Sequence, residues 1–141
     1  MKNSILFITT IFLLLFGTSQ LQAQNINLKK NNYLVLSKNI QQLKPVLLTA
    51  NELAKEDGEK YGAFYVIICG KTVKDISNNP DFNALLEKAK AQKVNVFVCG
   101  ISLSKFNINP ETLPSSNLEI TPNGILYGFQ LTKKGFITLT I

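Results

Sequence analysis

Two stretches of the chain, FYVIICGKTVKDI at residues 64–76 and NVFVCGISLSKF at residues 95–106, repeat one pattern: an apolar run of strand-forming residues, then Cys-Gly, then a short amphipathic segment. An apolar β run that turns at glycine into a helix-like stretch is the unit of a parallel α/β sheet, because parallel strands need a crossover between them. Ligands and reactive groups of such sheets gather at the carboxyl ends of the strands. The repeat therefore puts the chain's two cysteines, Cys69 and Cys99, at equivalent places on the functional rim.

The rest of the chain extends that alternation. Short apolar runs predict strands at Tyr33–Ser37, Phe64–Cys69, Val94–Cys99, Leu118–Ile120 and Phe136–Ile141. Between the first two, Leu43, Leu47, Ala50, Leu53 and Ala54 recur at helical spacing, Pro45 fits only a first turn, and Asp57-Gly58 is a stop. Asn79-Pro80-Asp81 supplies an N-cap, a proline at the first helical position and an early acid, and Phe82, Leu85, Leu86 and Ala89 then form one stripe. A short helix bearing Ile101, Leu103 and Phe106 follows the third strand, before a loop with Pro110 and Pro114. Residues 123–134 predict a last helix with Ile125, Leu126, Phe129 and Gln130 on one side, lysines 133 and 134 at its end and Gly135 as cap. The expected fold is α/β, a three-layer α/β/α domain around a mostly parallel five-stranded sheet.

Residues 1–23 read differently: Lys2, an apolar core from Ile5 to Phe16, and Leu21-Gln22-Ala23 before Gln24 have the form of a cleaved secretory signal peptide. The apolar core is short for a bilayer span and no cysteine lies near the cut, so no stable membrane anchor is expected. Residues 24–141 are then one periplasmic or secreted domain, long enough for a single core.

Composition removes whole classes of chemistry. The chain has no histidine, so imidazole bases, Ser-His-Asp or Cys-His arrangements and His-based zinc sites are impossible, and two cysteines make no Cys₄ cluster. No metal site and no cofactor are expected. All 15 cations are lysines, scattered among 9 acids, and without arginine there is no guanidinium fork for phosphates or base edges. Nucleic acid is therefore rejected as a principal partner.

What remains is the thiols. Cys99 precedes Gly100 and a helix start, where backbone N–H groups favour thiolate, the nucleophilic form, and Lys71 and Lys105 are the candidate cations. The competing reading is a small apolar filler. Cys69 reads either as a core residue or as a second thiol, since ends of neighbouring strands lie about 5 Å apart, within disulfide reach. Gly70 and Gly100 read first as turn glycines and second as an anion cradle. Tyr61, Tyr65 and Tyr127 read as core or rim aromatics, and Glu111 and Glu119 as solvated acids.

The string VNVFVCGISLSKFNINPETL, followed by EITPNGILYGFQLTKKGFITLTI, resembles the DsrE/DsrF-like family of small α/β sulfur-relay proteins, and the likeness covers essentially all of residues 24–141. The shared features are the LLEKAKAQ helix, a strand delivering a cysteine into a small-residue helix start, a proline-bearing loop, a helix near Gly124 and a last strand after Lys-Gly. The resemblance implies that Cys99 accepts sulfane sulfur as a persulfide. It implies as partners a sulfur donor or acceptor protein, or a small sulfane-sulfur compound, and a homo-oligomer. Two other classes stay open: a small-molecule or protein binding module of the same fold without covalent chemistry, and a structural role with both thiols inert.

Overall fold

The computed structural model describes residues 29–141. The signal-peptide reading of residues 1–23 lies outside them. Five strands, β1 (Asn31–Ser37), β2 (Tyr61–Ile68), β3 (Val94–Cys99), β4 (Leu118–Thr121) and β5 (Ile137–Thr140), form one sheet in the order β4-β3-β2-β1-β5. Every neighbouring pair is parallel, so the sheet is parallel throughout rather than mostly so. Four α-helices intervene: α1 (Leu43–Asp57), α2 (Pro80–Ala91), α3 (Gly100–Lys105) and α4 (Gly124–Lys133). The segment after Cys69 is a 3₁₀ turn, Lys71–Asp75, that buries Thr72 and Val73.

Local chemistry sets these boundaries. Asn79 accepts the Phe82 N–H on its side-chain oxygen at 2.9 Å, with Pro80 filling a position that needs no donor. Pro45 stands third in α1, where no intrahelical N–H is lost. The helix stops at Gly58, whose φ of 54° is open to glycine without strain.

Side chains alternate across the sheet, so each strand feeds two cores. The larger joins Val35, Phe64, Val66, Ile68, Val94, Val96 and Val98 to α1, α2 and α3 through Leu43, Leu47, Phe82, Leu86 and Leu103. Truncating a fully buried ring such as Phe82, 2% exposed, to alanine costs about 3–5 kcal/mol. The smaller core, on the opposite face, joins Leu34, Ile67 and Phe97 to Leu131 of α4, with Tyr65, Tyr127, Phe136 and Cys69 at its margin. Its aromatics interlock: ring centroids of Tyr65 and Phe97, Tyr65 and Phe136, and Phe97 and Tyr127 are each 5.2 Å apart.

The last helix is rolled so that its apolar stripe looks outward. Ile125, Leu126 and Phe129 are 61%, 53% and 65% exposed, while Gly124, Gly128 and Leu131 form the buried face. Glycines at i and i+4 let the helix backbone lie close on the sheet. A Cβ at Gly128 would sit 3.4 Å from both Leu36 methyls.

Candidate functional site

The parallel register carries β2 and β3 side by side to their ends, with Ile68 opposite Val98. The next residues are Cys69 and Cys99, and the alternation that puts Ile67 and Phe97 in the smaller core puts both cysteines on that same face. The site lies under the amino-terminal end of α4. Both thiols are free; Cys99 is only 3% exposed, and Cys69 is half-buried.

Three segments converge on the Cys99 sulfur. Gly124, the first residue of α4, donates its N–H to Sγ at 3.3 Å. The following N–H groups of Ile125 and Leu126 go instead to the Asn123 side chain, at 3.1 and 3.0 Å, so cysteine sulfur and asparagine oxygen divide the helix start between them. Burial alone would raise the Cys99 pKa. It is outweighed by the Gly124 N–H, the Ser102 N–H and hydroxyl, and the Cys69 thiol, which together hold it below the ordinary cysteine value.

Cys69 is perturbed the other way. Burial, then the adjacent Cys99 anion and the hydrogen bond to it, push the Cys69 thiol up to about 12, with Lys38 pulling downward. Of the two, Cys99 is therefore the thiol that gives up its proton more readily and Cys69 the one that holds it.

Sequence reasoning missed Ser102, Gly124 and Lys38. Ser102 is 7% exposed, and its Oγ accepts the Gly70 N–H at 2.8 Å, tying the two Cys-Gly turns together. The available signal was its place three residues after Cys99, where an N3 residue reaches back to the residue that opens the helix. Gly124 is required sterically: a Cβ there would meet Cys69 Sγ at 2.8 Å, Ile67 Cγ2 at 2.9 Å and Cys99 Cβ at 3.0 Å.

The remaining candidates are placed as follows. Gly70 has φ 82°, a glycine conformation, and spends its N–H on Ser102. Gly100 lies against the loop after β4, where a Cβ would come within 3.1 Å of the Pro122 carbonyl oxygen. Lys71 opens the exposed start of the 3₁₀ turn, and the Lys105 ammonium lies 5.9 Å from the Phe106 ring centre. Neither is among the groups that shift the thiols, whereas Lys38 is. An open cleft of about 800 Å³ beside α3 includes Gly100, Ile101, Lys105 and Ile120 in its walls but neither cysteine. The arrangement as a whole is a thiol with a lowered pKa in a cradle of donors, beside a second thiol whose pKa is raised, a setting that favours nucleophilic sulfur.

Among solved structures, a protein of unknown function from Methanobacterium thermoautotrophicum is similar to this chain with a TM-score of 0.65 at 9% identity, over 80% of this chain and 99% of that one. A conserved protein of unknown function from Bacteroides thetaiotaomicron is similar with a TM-score of 0.61 at 16% identity, over 79% and 95% of the two chains. At such identities the likeness is one of fold. No match is found among curated proteins. The sequence itself matches the DsrE/DsrF-like family over residues 8–139, and with that span covering nearly its whole length the chain belongs to the DsrE/DsrF-like family.

Proposed function

We propose that this protein is a sulfur carrier that takes up sulfane sulfur as a persulfide on Cys99. The observation that carries the reading is the convergence of the Gly124 N–H and Ser102 on the Cys99 sulfur, which lowers its pKa while that of its neighbour Cys69 is raised. A thiol whose pKa is so lowered reaches the thiolate more readily than an ordinary cysteine and attacks a sulfane sulfur without an imidazole base, which suits a chain lacking histidine. The donor is a persulfide-bearing protein or a small polysulfide, and the acceptor a second thiol. The protein works outside the cytoplasm, in line with the leader-like residues 1–23, and self-associates through the outward apolar side of α4.

A second reading, in which both thiols only pack, is favoured by the 3% exposure of Cys99. Uptake on Cys99 requires the Asn123-Gly124 turn or the Cys69 side chain to move aside. Mass spectrometry of the reduced, folded protein after exposure to inorganic polysulfide separates the readings. Sulfur uptake that depends on Cys99 and disappears in Cys99→Ser supports the carrier; a native protein inert to polysulfide, with both thiols reacting only after unfolding, establishes the packing role.

A further inference from the structure

We infer that Cys69 is the resolving thiol of this site: it attacks Sγ of the Cys99 persulfide, forms the Cys69–Cys99 disulfide and expels the carried sulfur as hydrosulfide. The inference rests on the reading of Cys99 as the sulfur acceptor and states where that sulfur goes when no external thiol takes it.

Three observations place Cys69 for this step. The two cysteines continue the Ile68–Val98 register of adjacent parallel strands, which puts their Cα atoms about 5 Å apart, inside the range a disulfide spans. Both side chains turn into the same small space, since one point, where a Gly124 Cβ would be, lies 2.8 Å from Cys69 Sγ and 3.0 Å from Cys99 Cβ. The absent Cβ leaves that space to sulfur. Cys69 is also the more exposed thiol, so after the bond forms it is the sulfur that an external reductant reaches.

The chemistry balances within the chain. Cys69–SH and the persulfide anion Cys99–S–S⁻ give Cys69–S–S–Cys99 and HS⁻. One S–S bond forms between Cys69 and Cys99 Sγ as the bond from Cys99 Sγ to the outer sulfur breaks. The Cys69 proton passes to the outer sulfur, which frees the Cys69 thiolate to attack; the outer sulfur leaves reduced, as hydrosulfide, while the Cys69 sulfur is oxidised and Cys99 Sγ keeps one S–S bond before and after. Return to the dithiol needs a dithiol reductant acting by thiol–disulfide exchange, with attack on Cys69.

The test follows the reduced full chain after a pulse of inorganic polysulfide, with intact mass and sulfide release read together. Wild type is expected to gain one sulfur atom transiently, then to end two hydrogens lighter than the reduced chain, releasing one sulfide per disulfide formed. Cys69→Ser, which keeps a hydroxyl donor for Cys99, and Cys69→Ala should retain the added sulfur on Cys99, with chain-dependent sulfide release lost. A wild-type adduct as lasting as that of the Cys69 variants, with no disulfide, overturns the inference and leaves the carrier reading standing. Absence of any adduct in the Cys69 variants, with wild type also unchanged, overturns both. A disulfide formed by wild type in a small-molecule disulfide buffer but never from polysulfide also overturns the inference, since the pair would then close without discharging sulfur.

Discussion

The sharpest structural prediction concerns the two glycines on the buried side of α4. In Gly124→Ala the new methyl carbon meets Cys69 Sγ at 2.8 Å, Ile67 Cγ2 at 2.9 Å and Cys99 Cβ at 3.0 Å, three neighbours from two strands. Accommodating it requires lifting the start of α4, an overpacking cost of about 1–3 kcal/mol, against a helix-propensity gain of at most about 1 kcal/mol. The expected outcome is a net loss of about 1 kcal/mol. Gly128→Ala is the internal control: the nearest neighbours of its methyl carbon are Leu36 side-chain atoms, the first at 3.4 Å, so the propensity gain of about 0.5–1 kcal/mol should dominate. Urea denaturation reads the contrast. With a slope of about 1–3 kcal/mol/M, the Gly124→Ala midpoint should fall by roughly 0.5 M, and that of Gly128→Ala should hold or rise. Because the lifted helix carries the Gly124 N–H away from Cys99, the pH at which Cys99 alkylation is half-maximal should also rise in Gly124→Ala. Equal midpoints for wild type and Gly124→Ala, or a larger loss for Gly128→Ala, would refute the close-approach argument.

Ser102→Ala removes a hydroxyl and leaves the Gly70 N–H without its partner, a cost of about 1–2 kcal/mol. It should also move the alkylation profile of Cys99 to higher pH, and an unchanged profile would mean that the hydroxyl does not bear on the thiolate. Tyr33 is pushed up to about 12 by its 2.6 Å hydrogen bond to Asp57, by burial and by the charges of Asp57 and Glu56. A raised folded-state value contributes stability that is complete below the unfolded tyrosine pKa of about 10 and is lost as pH climbs toward the folded value. Tyr33→Phe should thus be about 1 kcal/mol less stable at neutral pH and lose less than wild type above pH ~10; an identical alkaline decline in urea titrations would contradict this. Sedimentation should find wild type self-associated at micromolar concentration and Phe129→Glu, changed at a 65% exposed position, dissociated but folded. A wild-type monomer would rule out the α4 interface.

Much of this molecule is written in short stretches of its sequence, because the forces that start and stop its elements act over a few residues. Asn79-Pro80 opens a helix by local hydrogen bonding and ring geometry, Gly58 closes one through its positive φ, and the FYVII and VNVFV runs read as buried parallel strands because both their faces are apolar. The repeated Cys-Gly turn likewise places both thiols at strand ends before any coordinate is known. The rotation of α4 was different. Periodicity relates Ile125, Leu126 and Phe129 to one another, but which side of the helix meets the sheet depends on how near the backbone can come, and Gly124 and Gly128 settle that against Cys69, Ile67, Cys99 and Leu36. The cradle around Cys99 is also a tertiary product. Gly124 follows Cys99 by 25 positions and Gly70 precedes Ser102 by 32, so these hydrogen bonds exist only once the strand order lays β2 beside β3 and the loop from β4 returns α4 over their ends. Sequence determined which residues could carry charge on sulfur. Packing decided that Cys99 is the thiol pushed toward the thiolate and Cys69 the one held toward the thiol, because burial and donor geometry, which set the two pKa values apart, are properties of the assembled fold.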